Sequence, residues 1–478
     1  MSEELPPRTR KELYERIARG QRDEVTLEEM IRLGFWTTER PVSTEPQLEA
    51  RAKELRRKLA ELRGQAGLLA NVKKLAETAK QKRLAESRQR RIETKQRRLG
   101  ERAAKRAAFE QRQQTELTYL GPKVSAGLGP LPDRRLANES ALVQHGLPTL
   151  SDPLALAHAL GLSLAQLRFL AYDREVSTVT QYRRFKIPKR CGGERSISAP
   201  RKRLKAAQRW LLDSLLEKLP LSEHAHGFRK ARSIVSNARP HVGAEVVVNV
   251  DLRDFFPTIT YRRVKGLFRK LGYSEELATL LALLCTEPDT VETELDGVTY
   301  YVAQGTRHLP QGAPTSPAIT NLLCRRLDRR LAGFAQKHGL VYTRYADDLT
   351  LSSPRGTPAP VGAILAVLEK VANEEGFSLH PDKVNVKRRG RRQEVTGIVV
   401  NDQLGVDRRT IKRFRAFLFQ LEKDGPQGKH WGNSTDPIAA AIGFANYLHM
   451  VMPERAKGLK QRALALRAKW PNLPLPTG

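Results

Sequence analysis

Two aspartates stand side by side in Tyr345-Ala346-Asp347-Asp348, between the apolar, β-rich stretches VYTR and LTLS. A plain two-residue hairpin favours Asn-Gly or Asp-Gly at its tip, so an acidic pair suggests a task beyond turning. A third acid, Asp251, ends the run EVVVNVD. A carboxylate at the exit of a buried strand is costly unless it is paired or holds a cation. Side by side in one sheet, these two elements would bring three carboxylates together. Such a cluster can hold two Mg²⁺ ions about 3.5–4 Å apart, one activating an attacking hydroxyl and one steadying a leaving pyrophosphate. Taken alone, each acid would serve equally in a surface turn, with Arg344 as the nearest basic partner.

The elements around these acids alternate. Residues 244–250 form a β-branched run and predict a strand, and residues 340–352 predict a hairpin pair. Helical patterns cover 261–271, 274–284, 315–337 and 361–375, and strands are expected at 378–387 and 394–401. The order implies an α+β fold with a small, mostly antiparallel sheet. Three more helical patterns follow Arg408, at 410–423, 436–450 and 455–469, with Trp431 and Trp470 expected to pack. Upstream, Ser151-Asp152-Pro153 reads as a helix start, and residues 121–150, rich in Gly and Pro, as a linker. Residues 51–120 contain no proline and are rich in Arg, Lys, Glu, Gln, Ala and Leu, all good helix formers. Leu48, Leu55, Leu62 and Leu69 mark a short coiled-coil-like seam, broken by Gly64 and Gly67. Beyond it the apolar face thins, which suits a solvated helix or a basic helix that tracks RNA.

Composition points to the partner. The chain of 478 residues carries 84 Lys+Arg against 52 Asp+Glu, a formal charge of +32. A charge that large draws polyanions, so nucleic acid is the expected ligand. Cys191, Cys285 and Cys324 lie far apart, which excludes a disulfide scaffold and disfavours a structural zinc site. The richest apolar run, residues 277–285, falls well short of the ~18 needed for a membrane span. The N-terminus opens with acids and has no apolar signal region, so a soluble cytoplasmic protein without membrane contact is expected.

Several blocks, in order, resemble those of reverse transcriptases. Phe185-Lys186-Ile187-Pro188-Lys189 with Gly192-Gly193, Arg195 and Ser196-Ile197 resembles the fingers hairpin. Asp251 with Phe255-Phe256 resembles the first palm motif, and Tyr345–Asp348 the second. Leu309-Pro310-Gln311-Gly312 with Ser316-Pro317 resembles the loop and helix beneath the nascent base pair. Gly376-Phe377 and Pro381-Asp382-Lys383 resemble the next palm block. The resemblance implies a right-hand polymerase with fingers, palm and thumb, preceded by a basic, largely helical extension. It divides the chain into an extension (1–120), the linker (121–150), fingers and palm (151–407) and a helical thumb (408–478).

By the same resemblance, Asp251, Asp347 and Asp348 are the catalytic metal ligands for two Mg²⁺ ions. Arg195 and Lys189, aided by Arg183 and Arg184, would neutralise the incoming deoxynucleoside triphosphate. Phe256 would close against a ribose 2′-hydroxyl, Gln311 would touch the incoming nucleotide, and Lys383 would protonate pyrophosphate. Asn237-Ala238-Arg239-Pro240-His241 and Val395-Thr396-Gly397 resemble signatures of retron reverse transcriptases, and imply RNA contacts from Asn237, His241, Val395, Thr396 and Gly397. A retron enzyme copies part of a cognate structured noncoding RNA, starting from a guanosine 2′-hydroxyl. Its product is a branched RNA–DNA molecule (msDNA), made in a bacterial anti-phage defence unit with an effector protein. The competing readings are a group II intron maturase-like enzyme and a catalytically silent RNA-binding scaffold.

Overall fold

A computed structural model describes residues 9–19, 22–35, 45–67, 72–115, 117, 119–122, 124, 136–188, 193–357 and 359–470. The chain divides into two compact units, residues 1–105 and 106–478. In the first, helices Arg10–Ala18 and Arg22–Arg32 are clasped by an Arg16–Glu28 ion pair of 2.8 Å, with Val25 buried. Helix Glu45–Gly67 follows, and the 44-residue helix Val72–Thr115 begins in this unit. Gly64 lies inside this helix. Leu55, Leu59 and Leu62 are exposed along it, as are Leu84, Ile92 and Leu99 on the longer helix. Leu69 lies outside the described residues. Among the described residues no single helix is long and apolar enough to cross a membrane.

The second unit mixes helices with antiparallel sheets. Its strands are β1 (Val176–Ser177), β2 (Tyr182–Pro188), β3 (Glu194–Pro200), β4 (Val246–Asp251), β5 (Glu287–Leu295) and β6 (Val298–His308). They continue as β7 (Val341–Tyr345), β8 (Asp348–Ser353), β9 (Asn385–Arg388), β10 (Glu394–Val395) and β11 (Ile398–Val399). The central sheet has the order β7-β8-β4-β9, with every neighbouring pair antiparallel. β2 pairs with β3, β1-β6-β5 form a third sheet, and β10 pairs with β11.

Side-chain alternation along a strand decides what each face of the central sheet does. Val246, Val248 and Val250 of β4, with Leu349 and Leu351 of β8, enter the larger core. That core also takes helix Glu275–Cys285, buried along nearly its whole length. The opposite face is polar. Asp251 stands directly across from Asp348, and Asn249 across from Thr350, whose hydroxyl donates to the Asn249 side chain at 2.9 Å. Val247, also on that face, joins a second core with Val395, Ile398 and the C-terminal helices Arg408–Asp424, Pro437–Val451 and Pro453–Lys469. Trp431 packs there among Phe414, Phe417 and Phe444, as the sequence suggested.

Four expectations need correcting. The long helix at 315–337 is two helices, Ser316–Leu323 and Arg325–Lys337, meeting at Cys324. The strand at 378–387 is a 3₁₀ turn, Pro381–Lys383, followed by the short β9. The strand at 394–401 is the hairpin β10–β11, turned by Thr396 and Gly397, both at positive φ as a type I′ turn requires. Within the stretch 121–150, the described residues 136–150 are not simply a linker: Asn138 N–H donates to the Gly272 carbonyl at 2.7 Å, and Leu142, Leu147 and Leu150 are buried in the core. The apolar residues won over the local Gly/Pro signal because they had a core to enter.

Candidate active site

The three acids converge on one end of the polar face. In the β7–β8 hairpin, Tyr345 pairs with Asp348, which in turn faces Asp251 on β4. Directly opposed residues on antiparallel strands hold their Cβ atoms about 4.5–5.5 Å apart. Asp347 sits in the turn, and its carbonyl accepts the Leu252 N–H at 2.9 Å, tying the hairpin tip to the end of β4. Burial and the neighbouring Asp347 and Asp251 carboxylates push the Asp348 carboxyl up to about 7. The Asp347 carboxyl is also raised, by burial first and by Asp251 second. Crowded acids of this kind favour protons or a cation, which is the behaviour of a metal-ligand set. Among the described residues, no group of three or more His, Cys, Asp or Glu side chains forms a preassembled cage. Lys383 Nζ lies 3.0 Å from Asp251 Oδ1, the one cation in contact with the trio among the described residues.

The turn is held from behind. Ala346, buried, takes φ +58°, a conformation costly for a residue with a side chain and sustained only when its surroundings over-determine it. Arg344 supplies that support. It is fully buried, and its Nε and Nη2 donate to both carboxylate oxygens of the equally buried Asp328 at 2.7 and 2.8 Å. Its Nη1 donates to Asn321 Oδ1 at 2.9 Å and to the Ala346 carbonyl at 3.1 Å. Arg344 is therefore not a local partner of the acidic pair, as its sequence position suggested, because alternation points it to the other face. Gly227 closes the arrangement: a Cβ there would lie 2.6 Å from the Ala346 nitrogen, so only glycine lets the two backbones touch. The sequence reading missed this strut. Its signal was Asp328, an acid on the apolar helix face of Leu327, Leu331 and Ala335, where burial demands a partner.

The remaining site candidates fall into three groups. Near the acids, Phe256 is half-buried against Phe255 and Phe228. Gln311 accepts from Ser198 N–H through its carbonyl at 2.8 Å, which seats its loop on β3. Gly312, at φ +126°, makes that approach feasible, since a Cβ would meet Ile197 and Ser198 at 2.9 Å. Arg195 is exposed on β3 and is one of the cations that temper the Asp347 charge. Arg184 does not face the site: it is engaged by Glu287 at 2.6 Å and by Thr290. Lys189 lies outside the described residues.

The last group lies away from the acids and is brought together by the second core. The Thr396 hydroxyl donates to the Ile234 carbonyl at 3.3 Å, joining the two segments singled out as RNA contacts. Their inner residues are sealed, which corrects that expectation. His241 is fully buried, with Nδ1 2.7 Å from the Ser352 hydroxyl and Nε2 2.8 Å from that of Thr343. Burial holds its imidazole near 3, so it is neutral. Asn237 and Val395 are likewise fully buried, leaving Thr396 half-buried and Gly397 exposed.

Comparison with known proteins agrees with this geometry. The family model described as "Reverse transcriptase (RNA-dependent DNA polymerase)" matches residues 187–402, which include all three acids. The Retron Mx162 reverse transcriptase of Myxococcus xanthus is 44% identical over 372 residues, covering 74% of this chain and 76% of its own length. The Retron Ec86 reverse transcriptase of Escherichia coli is 35% identical over 280 residues, covering 58% of this chain and 80% of its own. Among solved structures, the telomerase of Candida albicans with a fragment of telomeric RNA covers 60% of this chain at 12% identity, with a TM-score of 0.39. It aligns over 55% of its own chain. With a relative this similar over three quarters of its length, and with the acids inside the matched domain, the chain belongs to the retron reverse transcriptases, RNA-directed DNA polymerases.

Proposed function

We propose that this enzyme copies part of a cognate structured noncoding RNA into DNA, primed from a guanosine 2′-hydroxyl, and so makes a branched RNA–DNA molecule. It would do so within an anti-phage defence unit that includes an effector protein. The observation that carries the polymerase chemistry is the register of Asp251 opposite Asp348, with Asp347 beside them at the hairpin tip. The retron part of the reading rests on the similarity to retron enzymes.

Asp251, Asp347 and Asp348 would hold two Mg²⁺ ions, which when bound supply charge neutralisation at the reacting phosphate and activation of the priming hydroxyl. The donor chemistry fits: hard carboxylate oxygens, with the Asp347 and Asp348 carboxyls raised in pKa first by burial and then by their neighbours' charge. Lys383, now on Asp251, would exchange that carboxylate for the pyrophosphate and donate a proton to it. Arg195 and Lys189 would offset the triphosphate charge from the β2–β3 hairpin. Phe256 would exclude a ribonucleotide by filling the space of its 2′-hydroxyl, and Gln311 would align the incoming base. Thr396 and Gly397 would touch RNA directly, with His241, Asn237 and Val395 shaping the support beneath them. In this reading β2–β3 belongs to the fingers, the central sheet to the palm and the helices after Arg408 to the thumb. The test is to extract nucleic acid that co-purifies with the protein, treat it with RNase or DNase, and sequence it. A single small RNA joined to DNA, with the DNA lost in Asp347→Asn, is the expected result. Heterogeneous RNA, with activity only on added primer–template, would overturn the retron reading.

A further inference from the structure

Phe256, read above as excluding a ribose 2′-hydroxyl, sits in the turn after β4, where its carbonyl accepts the Ile259 N–H at 3.1 Å. That bond fixes its backbone and leaves its ring to be fixed by packing. One neighbour is Phe255, buried and itself packed against Phe377, with ring centroids 5.6 Å from Phe256 and 5.7 Å from Phe377. The other is Phe228, 6.3 Å away with the ring planes at 51°. Phe228 is not an ordinary core residue. Its ring is 52% exposed, and its backbone takes φ +56°, where a bulky side chain is an outlier. Burial repays little of that strain, so the conformation persists because the backbone around it is pinned. His226 N–H donates to the Arg344 carbonyl at 2.8 Å, and Asn321 Nδ2 donates to the Gly227 carbonyl at 2.9 Å. Gly227 itself abuts the Ala346 nitrogen, and Arg229 Nη1 donates to the Ser222 carbonyl at 2.7 Å. The strut behind the hairpin tip, Arg344 with Asn321, therefore also holds the segment that carries Phe228. One framework sets both the acids and the ring in contact with Phe256.

A wall that discriminates by exclusion works only if it does not yield. A ribonucleotide differs from a deoxyribonucleotide by a single oxygen, and a phenyl ring free to change rotamer makes room for it. Recognition groups keep their geometry when neighbouring side chains lock their rotamers, and an aromatic neighbour does this through both area and ring-edge electrostatics. We propose that Phe228 is a positioning residue of the sugar site: its ring braces Phe256 and so sets the preference for deoxyribo- over ribonucleoside triphosphates. The inference rests on the reading that Phe256 faces the nucleotide sugar. Phe228 acts through Phe256 and needs no contact of its own with the nucleotide. Its strained backbone is then part of the device, because φ +56° and the pinned Gly227 fix the direction from which the ring meets Phe256.

The test uses the full chain with a DNA primer on an RNA template, adding one nucleotide opposite uridine. The kcat/KM is measured for dATP and for ATP. Phe256→Ala sets the scale and should raise the ATP-to-dATP ratio by about 10–200-fold, the range for one small group in an apolar pocket. Phe228→Ala should raise it by about 2–12-fold, the coupling of one aromatic pair, and Phe228→Tyr should keep the native ratio. Phe228→Gly takes up the positive φ without strain, so it should raise the ratio as alanine does while its denaturant midpoint stays at or above native. That variant separates a lost brace from a lost fold. In Phe256→Ala/Phe228→Ala the ratio should equal that of Phe256→Ala alone. Multiplied effects in the double variant would overturn the proposal, because Phe228 would then act on nucleotide or template directly. A native ratio in Phe228→Ala and Phe228→Gly, or equal falls for both nucleotides, would also overturn it and leave the role of Phe256 standing. A native ratio in Phe256→Ala would sink the role given to Phe256, and the brace with it.

Discussion

The polar face of the central sheet has two ends, and they treat ionisable groups in opposite ways. At one end Asp251 and Asp348 face each other across paired strands, half-buried, with Lys383 the one cation in contact with them among the described residues. At the other end His241 is closed in by the Ser352 and Thr343 hydroxyls, and every polar atom of its ring is used. Both ends keep their group from its ordinary charge state. The Asp348 carboxyl is pushed up by burial and by the neighbouring carboxylates, and the imidazole is pushed down by burial. The difference lies in what is left unsatisfied. The acidic end holds repulsion that a cation would relieve, while the histidine end is complete without one. Residues of similar chemical promise in the sequence thus divide into a reactive corner and a structural one.

The largest effect should come from removing a carboxylate at the reactive end. Asp347→Asn or Asp251→Asn should lower DNA synthesis by about 10³-fold or more, equivalent to ~4 kcal/mol in the barrier, with RNA binding nearly intact. Loss of RNA binding in a steady-state filter assay would mean the acids are structural, and the contrast would collapse. Next is the strut. Asp328→Asn leaves Arg344 buried without its counter-charge and should cost about 3–5 kcal/mol of stability, seen as an earlier denaturant midpoint. A variant as stable as the native protein would show that Arg344 finds another partner.

At the structural end, His241→Leu strands the Ser352 and Thr343 hydroxyls and should cost about 1–3 kcal/mol. RNA affinity of the folded variant should match native, and a selective loss of affinity would return His241 to the RNA surface. Gly227→Ala forces a methyl group against the Ala346 nitrogen. Its stability cost should be about 1–3 kcal/mol, with a further fall in polymerisation rate at saturating substrate as the hairpin tip shifts. An unchanged rate in a correctly folded variant would mean the tip tolerates movement.

The smallest effect is in pH dependence, where the two ends should have opposite signs. The folded Asp348 carboxyl binds its proton more tightly than the unfolded one, so its contribution is present at low pH and lost as pH rises through about 7. His241 binds its proton more weakly when folded, so its contribution is present above the ordinary imidazole range and lost as pH falls toward 3. Without metal, Asp348→Asn should therefore gain melting temperature relative to native as pH rises from 4 to 7. His241→Leu should lose ground relative to native over the same span. Parallel curves for native and variants would remove the electrostatic basis of the comparison.

Much of the reactive end was legible. The run EVVVNVD is a strand because β-branched residues suit a pleated, buried surface, and the acid at its end announces a partner or a cation. The order of motifs gave the polymerase. The register that sets Asp251 across from Asp348, and not from Asp347, was not legible, because a one-residue slip leaves the same letters in place. The polar signatures were misread for a related reason. Asn237 and His241 look like ligands in a string of letters, and only a packed neighbourhood reveals that they point inward. Arg344 is the basic residue nearest the acidic pair along the chain, but alternation turns it to the opposite face, where it pairs with Asp328.

The sequence by itself determined the chemistry: three acids of the right type at strand ends, a charge that draws nucleic acid, and the α+β order of elements. Local patterns carry such information because propensity, alternation and charge act over a few residues. Tertiary structure alone decided which acids face each other, what braces the hairpin tip, and which polar residues meet solvent. Those outcomes depend on contacts between segments a hundred residues apart, Asp251 with Asp348 and His241 with Ser352, which no local pattern encodes.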